Sequence, residues 1–147
     1  MPARIAAACR ATGQACSDAP GDVTRSILTS LACKYRVVLE RLERMSGRGV
    51  DVVHVIGGGS RNRLLCRLTA DVLGRPVLAG PVEATSLGNV LVQARATGEL
   101  SSPAEMREVA AASAAPEVYE PGEDREAAEA LYHRFLTVTG AAVPARA

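Results

Sequence analysis

The clearest pattern of apolar and polar positions lies between residues 22 and 46. Val23, Ile27, Leu28, Leu31, Tyr35, Val38, Leu39 and Leu42 recur at three- and four-residue steps, which predicts one face of a long amphipathic helix. Asp22 stands ahead of it, and Gly47 and Gly49 close it. Residues 3–11 are Ala-rich without a breaker and predict a shorter helix. The Gly, Pro and small polar residues of 12–21 predict a loop. Residues 51–56 (DVVHVI) form a short β-branched run whose length favours a buried strand. Gly57, Gly58 and Gly59 follow at once, and Ser60 is placed to cap a helix over 61–73 that stops at Gly74. Residues 75–79 (RPVLA) predict a second strand, and Gly80-Pro81 a turn. A helix over 83–97 ends at Gly98, and another is capped by Ser102 with Pro103 in its first turn. Residues 116–121 are irregular with a short extended piece, and 122–138 predict a charged final helix. The domain spans 1–140, and 141–147 are expected to form a disordered tail.

Strands alternating with helices predict an α/β architecture, a short sheet packed with helices. Two short strands are few for a self-sufficient sheet, so the rest of the sheet is expected to lie outside this sequence. Composition agrees: apolar residues make up 48% of 147, enough for a core, but with one Phe, three Tyr and no Trp that core must be aliphatic. The low aromatic content argues against base-stacking surfaces. A net charge of +1 gives no bulk attraction to nucleic acid or an acidic membrane. There is no apolar run long enough to span a bilayer and no signal-peptide pattern at the start, so the cytoplasm is the expected compartment. Cys9, Cys16, Cys33 and Cys66 form no C-x-x-C pair and lie far from His54 and His133. Free thiols, buried or half-buried, are expected rather than a metal site.

The candidate chemistry sits in strand, Gly57-Gly58-Gly59-Ser60-Arg61-Asn62, helix. Glycines let the backbone lie against a ligand. The helix N-terminus that follows offers free amide groups. The Asn62 side-chain amide can donate to and accept from the polar edge of a purine. No Gly-Lys-Ser/Thr follows and the spacing is not G-x-G-x-x-G. On spacing alone, a tight strand-to-helix turn and a ligand cradle are equally good readings.

Separated strings break that tie. They are Ala8-Cys9-Arg10-Ala11-Thr12-Gly13-Gln14, Ser30-Leu31-Ala32-Cys33-Lys34-Tyr35-Arg36, His54 to Asn62, Thr69-Ala70-Asp71, and Gly80-Pro81-Val82-Glu83-Ala84-Thr85-Ser86-Leu87-Gly88-Asn89. With them the chain, from Ile5 to about Pro121, resembles the C-terminal domain of the FGGY carbohydrate kinases, within them the rhamnulokinase branch. The resemblance implies part of an actin/ribonuclease H-like ATPase domain. It also implies a kinase that transfers the γ-phosphoryl group of ATP, with Mg2+, to a ketose (L-rhamnulose, giving L-rhamnulose 1-phosphate). By the same resemblance, Gly57, Gly58 and Gly59 lie against ATP, with a backbone contact from Gly58, and Asn62 faces the adenine. The catalytic Asp and the sugar site belong to a first domain that this sequence lacks. No residue here is therefore assigned as catalytic or as a metal ligand, and the chain alone is expected to be inactive. Met1 falls where relatives are in mid-domain, as expected of a truncated gene, a misplaced start or an excised piece. A cut sheet is expected to leave an unpaired edge and an uncovered apolar face, hence self-association. An FGGY kinase for another ketose, and a non-catalytic stand-alone α/β binding module, are the alternatives.

Several other residues have structural readings. Glu83 is expected to support the following helix N-terminus, and Asp71 to order a helix end or neighbouring loop. His54 and Cys66 are read as packing residues, Arg61 and Arg63 as a solvated helix face. Glu123, Asp124, Arg125, Glu126, Glu129 and Arg134 are read as a solvated face of the last helix.

Overall fold

The computed structural model describes residues 2–15, 17–113 and 115–141. Cys16 and residues 142–147, most of the expected tail, lie outside the described residues. The elements run α1 (Pro2–Ala11), α2 (Pro20–Ser46), β1 (Val53–Val55), a 3-10 turn (Gly57–Arg61), α3 (Arg63–Leu73), β2 (Val77–Ala79), α4 (Ala84–Ala96), α5 (Pro103–Ser113), β3 (Glu117–Tyr119) and α6 (Arg125–Thr139). The extended piece expected within 116–121 is thus a third strand. The sheet order is β1-β2-β3. Strands β1 and β2 are parallel, with His54 opposite Leu78; β2 and β3 are antiparallel, with Leu78 opposite Val118.

Strand residues alternate between the two sheet faces. Val53, Val55, Val77, Ala79 and Tyr119 share one face and pack on Cys66 and Ala70 of α3. Leu68 and Val72, on the other side of α3, meet Ala32, Cys33 and Val37 of α2 and Tyr132 of α6, with Leu28, Phe135 and Leu136 around them. Helix α3 is therefore the central layer, apolar on two sides. The three cysteines described are free, with Cys33 and Cys66 buried and Cys9 half-buried. Burial pushes the Cys33 thiol up to about 11, so it behaves as a small apolar residue rather than a nucleophile.

Polar groups lock this layer. Arg36 Nη1 donates to the Val72 carbonyl at 3.0 Å and to Glu129 Oε1 at 2.7 Å, while Nη2 donates to Glu129 Oε2 at 2.9 Å. Its Nε donates to Glu40 at 2.9 Å, and its guanidinium lies 4.0 Å from the centre of the Tyr132 ring. The Tyr132 hydroxyl donates to Glu40 at 2.7 Å. Burial alone would lower the Arg36 pKa, but the bonds to Glu129 and Glu40 outweigh it and push it up. The last helix is thus not a solvated charged strip. Glu129 is drawn into the Arg36 clamp, Arg125 Nη1 donates to the Asp71 carbonyl, and Asp124 caps α6 by accepting from the Ala127 amide at 2.9 Å. Asp71 orders a loop as expected, accepting from the Gly122 amide at 2.8 Å. Helix α5 carries the expected cap, Ser102 Oγ accepting from the Glu105 amide at 3.2 Å. His54 departs from expectation: it is exposed on the sheet face away from α3.

The bond from Arg36 holds the Glu129 carboxyl below its ordinary pKa of 4.5. A depressed carboxylate stabilises the fold above its unfolded value and loses that contribution as pH falls through the folded one. Stability is expected to be flat through this group from pH 7 to about 5 and to drop below about 4.5. Discounted for the exposure of Glu129, the loss is about 1 kcal/mol. Denaturant midpoints of wild type and Glu129→Gln measured against pH check it: the variant should be the less stable near pH 7, and the gap should close in acid.

Candidate functional site

Strand β1 delivers the chain to Ile56, which is extended (φ −115°, ψ 164°) and opens the 3-10 turn. The three glycines stand in different surroundings. Gly57 has φ +73°, a left-handed conformation that side chains resist. Its amide donates to the Pro81 carbonyl at 3.0 Å, and the Gly80 amide returns a bond to the Val55 carbonyl at 2.8 Å. These two bonds hold the 80–82 loop, with its cis Gly80-Pro81 peptide, beside the turn. At Gly59 an added Cβ would sit 3.7 Å from Val55 Cγ1, an ordinary contact. At Gly58 an added Cβ would meet nothing within 4 Å, and the backbone is not left-handed. Neither conformation nor packing within the described chain asks for glycine at 58.

Ser60 does not cap the helix. Its hydroxyl is buried and donates back to the Gly57 carbonyl at 2.7 Å, closing the turn on itself. The cap is Asn62, whose Oδ1 accepts from the Leu65 amide at 3.0 Å, so α3 starts at Arg63 rather than at 61. Below the turn, Cys66 is buried with its sulfur 3.9 Å from the Gly59 carbonyl and 3.8 Å from that of Ser60. Asn62 is exposed. Its Oδ1 takes the cap bond, and its Nδ2 amino group is the donor end of the same side chain.

Beside the turn lies an open groove of about 410 Å³, lined by Ser60, Arg61, Arg63, the 80–82 loop and Glu117 among others. That volume falls within the range of small-molecule sites. Arg63 and Glu117 form an exposed ion pair of 3.3 Å at the groove. Glu83 stands at the N-cap position of α4 but makes no side-chain cap bond, so it acts there through charge alone. Among the described residues no group of three or more His, Cys, Asp or Glu is placed to hold a metal ion, and no helix is long and apolar enough to cross a membrane.

The model of the C-terminal domain of the FGGY family of carbohydrate kinases matches residues 1–97. The chain belongs to the FGGY family of carbohydrate kinases. Among its relatives is a rhamnulokinase of Bacteroides thetaiotaomicron, 46% identical over 127 residues, covering 86% of this chain and 26% of that protein. A rhamnulokinase of Enterococcus faecalis is 41% identical over 138 residues, 92% of this chain and 28% of the relative. One of Klebsiella pneumoniae is 40% identical over 128 residues, 87% and 26%. The chain spans about a quarter of the length of these curated relatives. The glycine turn and the 80–82 loop both fall inside the stretch matched by the FGGY C-terminal domain.

The three turn positions separate by stability. Gly57→Ala should lower it by about 1–2 kcal/mol, because alanine resists the left-handed conformation. Asn62→Ala should cost about 1 kcal/mol through the lost cap, whereas Asn62→Asp keeps an acceptor and costs little. Gly58→Val should stay within about 1 kcal/mol of wild type. Thermal unfolding of the four variants reads this order directly, and a large loss at Gly58 would contradict its open surroundings.

Proposed function

We propose that this chain is the nucleotide-binding part of an ATP-dependent sugar kinase. In this reading Gly57, Gly58 and Gly59 form the surface against which ATP lies, and Asn62 donates from Nδ2 to an acceptor on the purine. The observation that carries it is Gly58, a glycine in an ordinary conformation facing open space. A glycine that the fold itself does not require to be small leaves the backbone open to the approach of a ligand. The bound nucleotide supplies the phosphoryl group, and the residues of this chain hold its purine end. Asn62 is well suited because the cap fixes its orientation before the ligand arrives, so little is lost in ordering it. Mg2+ does not fit the turn: its donors are backbone amides and a side-chain amide, not the hard oxygens that ion requires. It is therefore assigned to the nucleotide phosphates and to residues outside this chain.

The sugar accepting the phosphoryl group is, on the same proposal, a ketose. L-rhamnulose is the first candidate, because the relatives are rhamnulokinases. The sugar site and the base that takes the hydroxyl proton lie in the portion of such kinases that this chain does not span.

Two measurements test the reading. In an ATP titration followed by calorimetry, Gly58→Val and Asn62→Asp should each weaken binding about tenfold or more, the latter through one lost hydrogen bond. Both should unfold near the wild-type temperature, so that binding and folding are read apart. Equal ATP affinity for wild type and both variants would remove the turn from the site. In a coupled ADP-release assay with L-rhamnulose the 147-residue chain alone should show no turnover, and clear activity would overturn the division of labour.

A further inference from the structure

The groove beside the glycine turn is rich in donors and poor in acceptors. Among the described residues that line it, Arg61 and Arg63 bring cations from either side of Asn62, residues 79–82 bring mostly backbone and small apolar groups, and Glu117 is the one carboxylate. Guanidinium groups only donate, and the Ser60 hydroxyl is spent on the Gly57 carbonyl. A ligand hydroxyl that donates into this groove therefore finds a single charged acceptor, Glu117.

The sheet sets the position of that carboxylate. In the antiparallel β2–β3 pair Glu117 stands opposite Ala79, the last residue of β2, just before the 80–82 loop. Ala79 faces α3, and directly opposed strand residues share a face, so Glu117 projects toward the start of α3. There its Oε1 meets Arg63 Nη2 at 3.3 Å. The pair is loose and wet, its side chains 79% and 49% exposed, whereas the bonds that hold Glu43 and Glu129 measure 2.6 and 2.7 Å. An ion pair this exposed contributes little to stability, and Glu is depleted in strands. The fold itself gives a weak reason for a carboxylate at 117, and both partners stay accessible to a third group.

A charged acceptor beside a charged donor complements a vicinal diol, in which each hydroxyl both donates and accepts. We propose that Glu117 accepts hydrogen bonds from the ribose hydroxyls of the nucleotide, with Arg63 holding the carboxylate toward them, and that this contact makes the site selective for ribonucleotides. The proposal rests on the reading of the glycine turn as a nucleotide site. A ketose carries the same diol chemistry, but the ribose is the better occupant. Arg63 directly follows Asn62, and its side chain bridges from that end of the turn to Glu117. The reach of one arginine side chain is comparable with the span of a nucleoside from the hydrogen-bonding edge of its purine to its ribose hydroxyls. One nucleoside can therefore meet Asn62 at one end and Glu117 at the other.

Calorimetric titrations of the 147-residue chain with ATP and with 2′,3′-dideoxy-ATP test it. Wild type should bind ATP about tenfold more tightly or better, the worth of one charge-assisted hydrogen bond. In Glu117→Val, which keeps a strand-forming residue at the position, that preference should disappear while the thermal unfolding midpoint stays near that of wild type. Equal affinity of wild type for the two nucleotides would overturn the ribose contact and leave the purine reading standing. A preference that survives in Glu117→Val would do the same. Titration with L-rhamnulose separates the two sources of a diol: binding by wild type that is lost in Glu117→Val would assign the contact to the sugar and overturn the proposal. Failure of both nucleotides to bind would remove the nucleotide reading, and this contact with it.

Discussion

The arrangement of this chain depends on the guanidinium of Arg36. From the middle of α2 it reaches the Val72 carbonyl near the end of α3 and the Glu129 carboxylate on α6, and it stacks on Tyr132. A half-buried cation is costly unless its donors are satisfied and its charge is paired. Arg36 meets both conditions only when α2, α3 and α6 sit in this one arrangement. The small residues Ala32 and Cys33 beside it let the helices approach closely. Once α3 is fixed at its C-terminal end, its N-terminal end is fixed too, and that end carries the Asn62 cap and the glycine turn. The position of the candidate site is therefore set about one helix length away from it.

The turn itself divides between structure and exposure. Gly57 and Ser60 are consumed internally, one by a left-handed backbone, the other by closing the turn with its hydroxyl. A side chain at Gly59 would face Val55. Gly58 and Asn62 are both exposed, and Asn62 is already oriented by the helix it starts. A site assembled this way requires little rearrangement to receive a ligand. The same economy couples function to folding, because removing the Asn62 side chain damages the helix start as well as any contact it makes.

Much of this was legible in the sequence, and the failures have physical reasons. The α2 period was plain, but its most conspicuous residues, Leu31, Tyr35 and Leu42, are exposed, while the quieter Ala32, Cys33 and Val37 form the packed face. Periodicity locates apolar faces and does not say which one the described fold uses. Ser60 was read as the cap and Asn62 fills that place, because the Gly57 carbonyl takes the Ser60 hydroxyl, a bond that no spacing rule anticipates. Glu129 read as solvated because its partner Arg36 lies 93 positions away, and long-range ion pairs leave no local trace. Strand β3 is three residues long and owes its conformation to pairing with β2 rather than to its own pattern.

The carboxylates bear on the division of labour in the proposed phosphoryl transfer. A general base needs a carboxylate within reach of its substrate and free to accept a proton. Glu40 accepts from Arg36 and Tyr132. Glu43 is held by Arg75 and the Val50 amide, Glu129 by Arg36, Asp71 by the Gly122 amide and Asp124 by the cap of α6. Each is engaged by a hydrogen bond within the fold, and the pKa of Glu129 is lowered, which makes it a weaker base still. Glu117, beside the groove, is paired with Arg63. What the turn offers instead is backbone and an oriented amide, the groups that the proposed nucleotide contact calls on. Phosphoryl transfer depends largely on positioning and on charge supplied around the phosphates. A surface that contributes only the first of these is consistent with one side of a cleft, where the opposing side brings the acid–base group and the sugar.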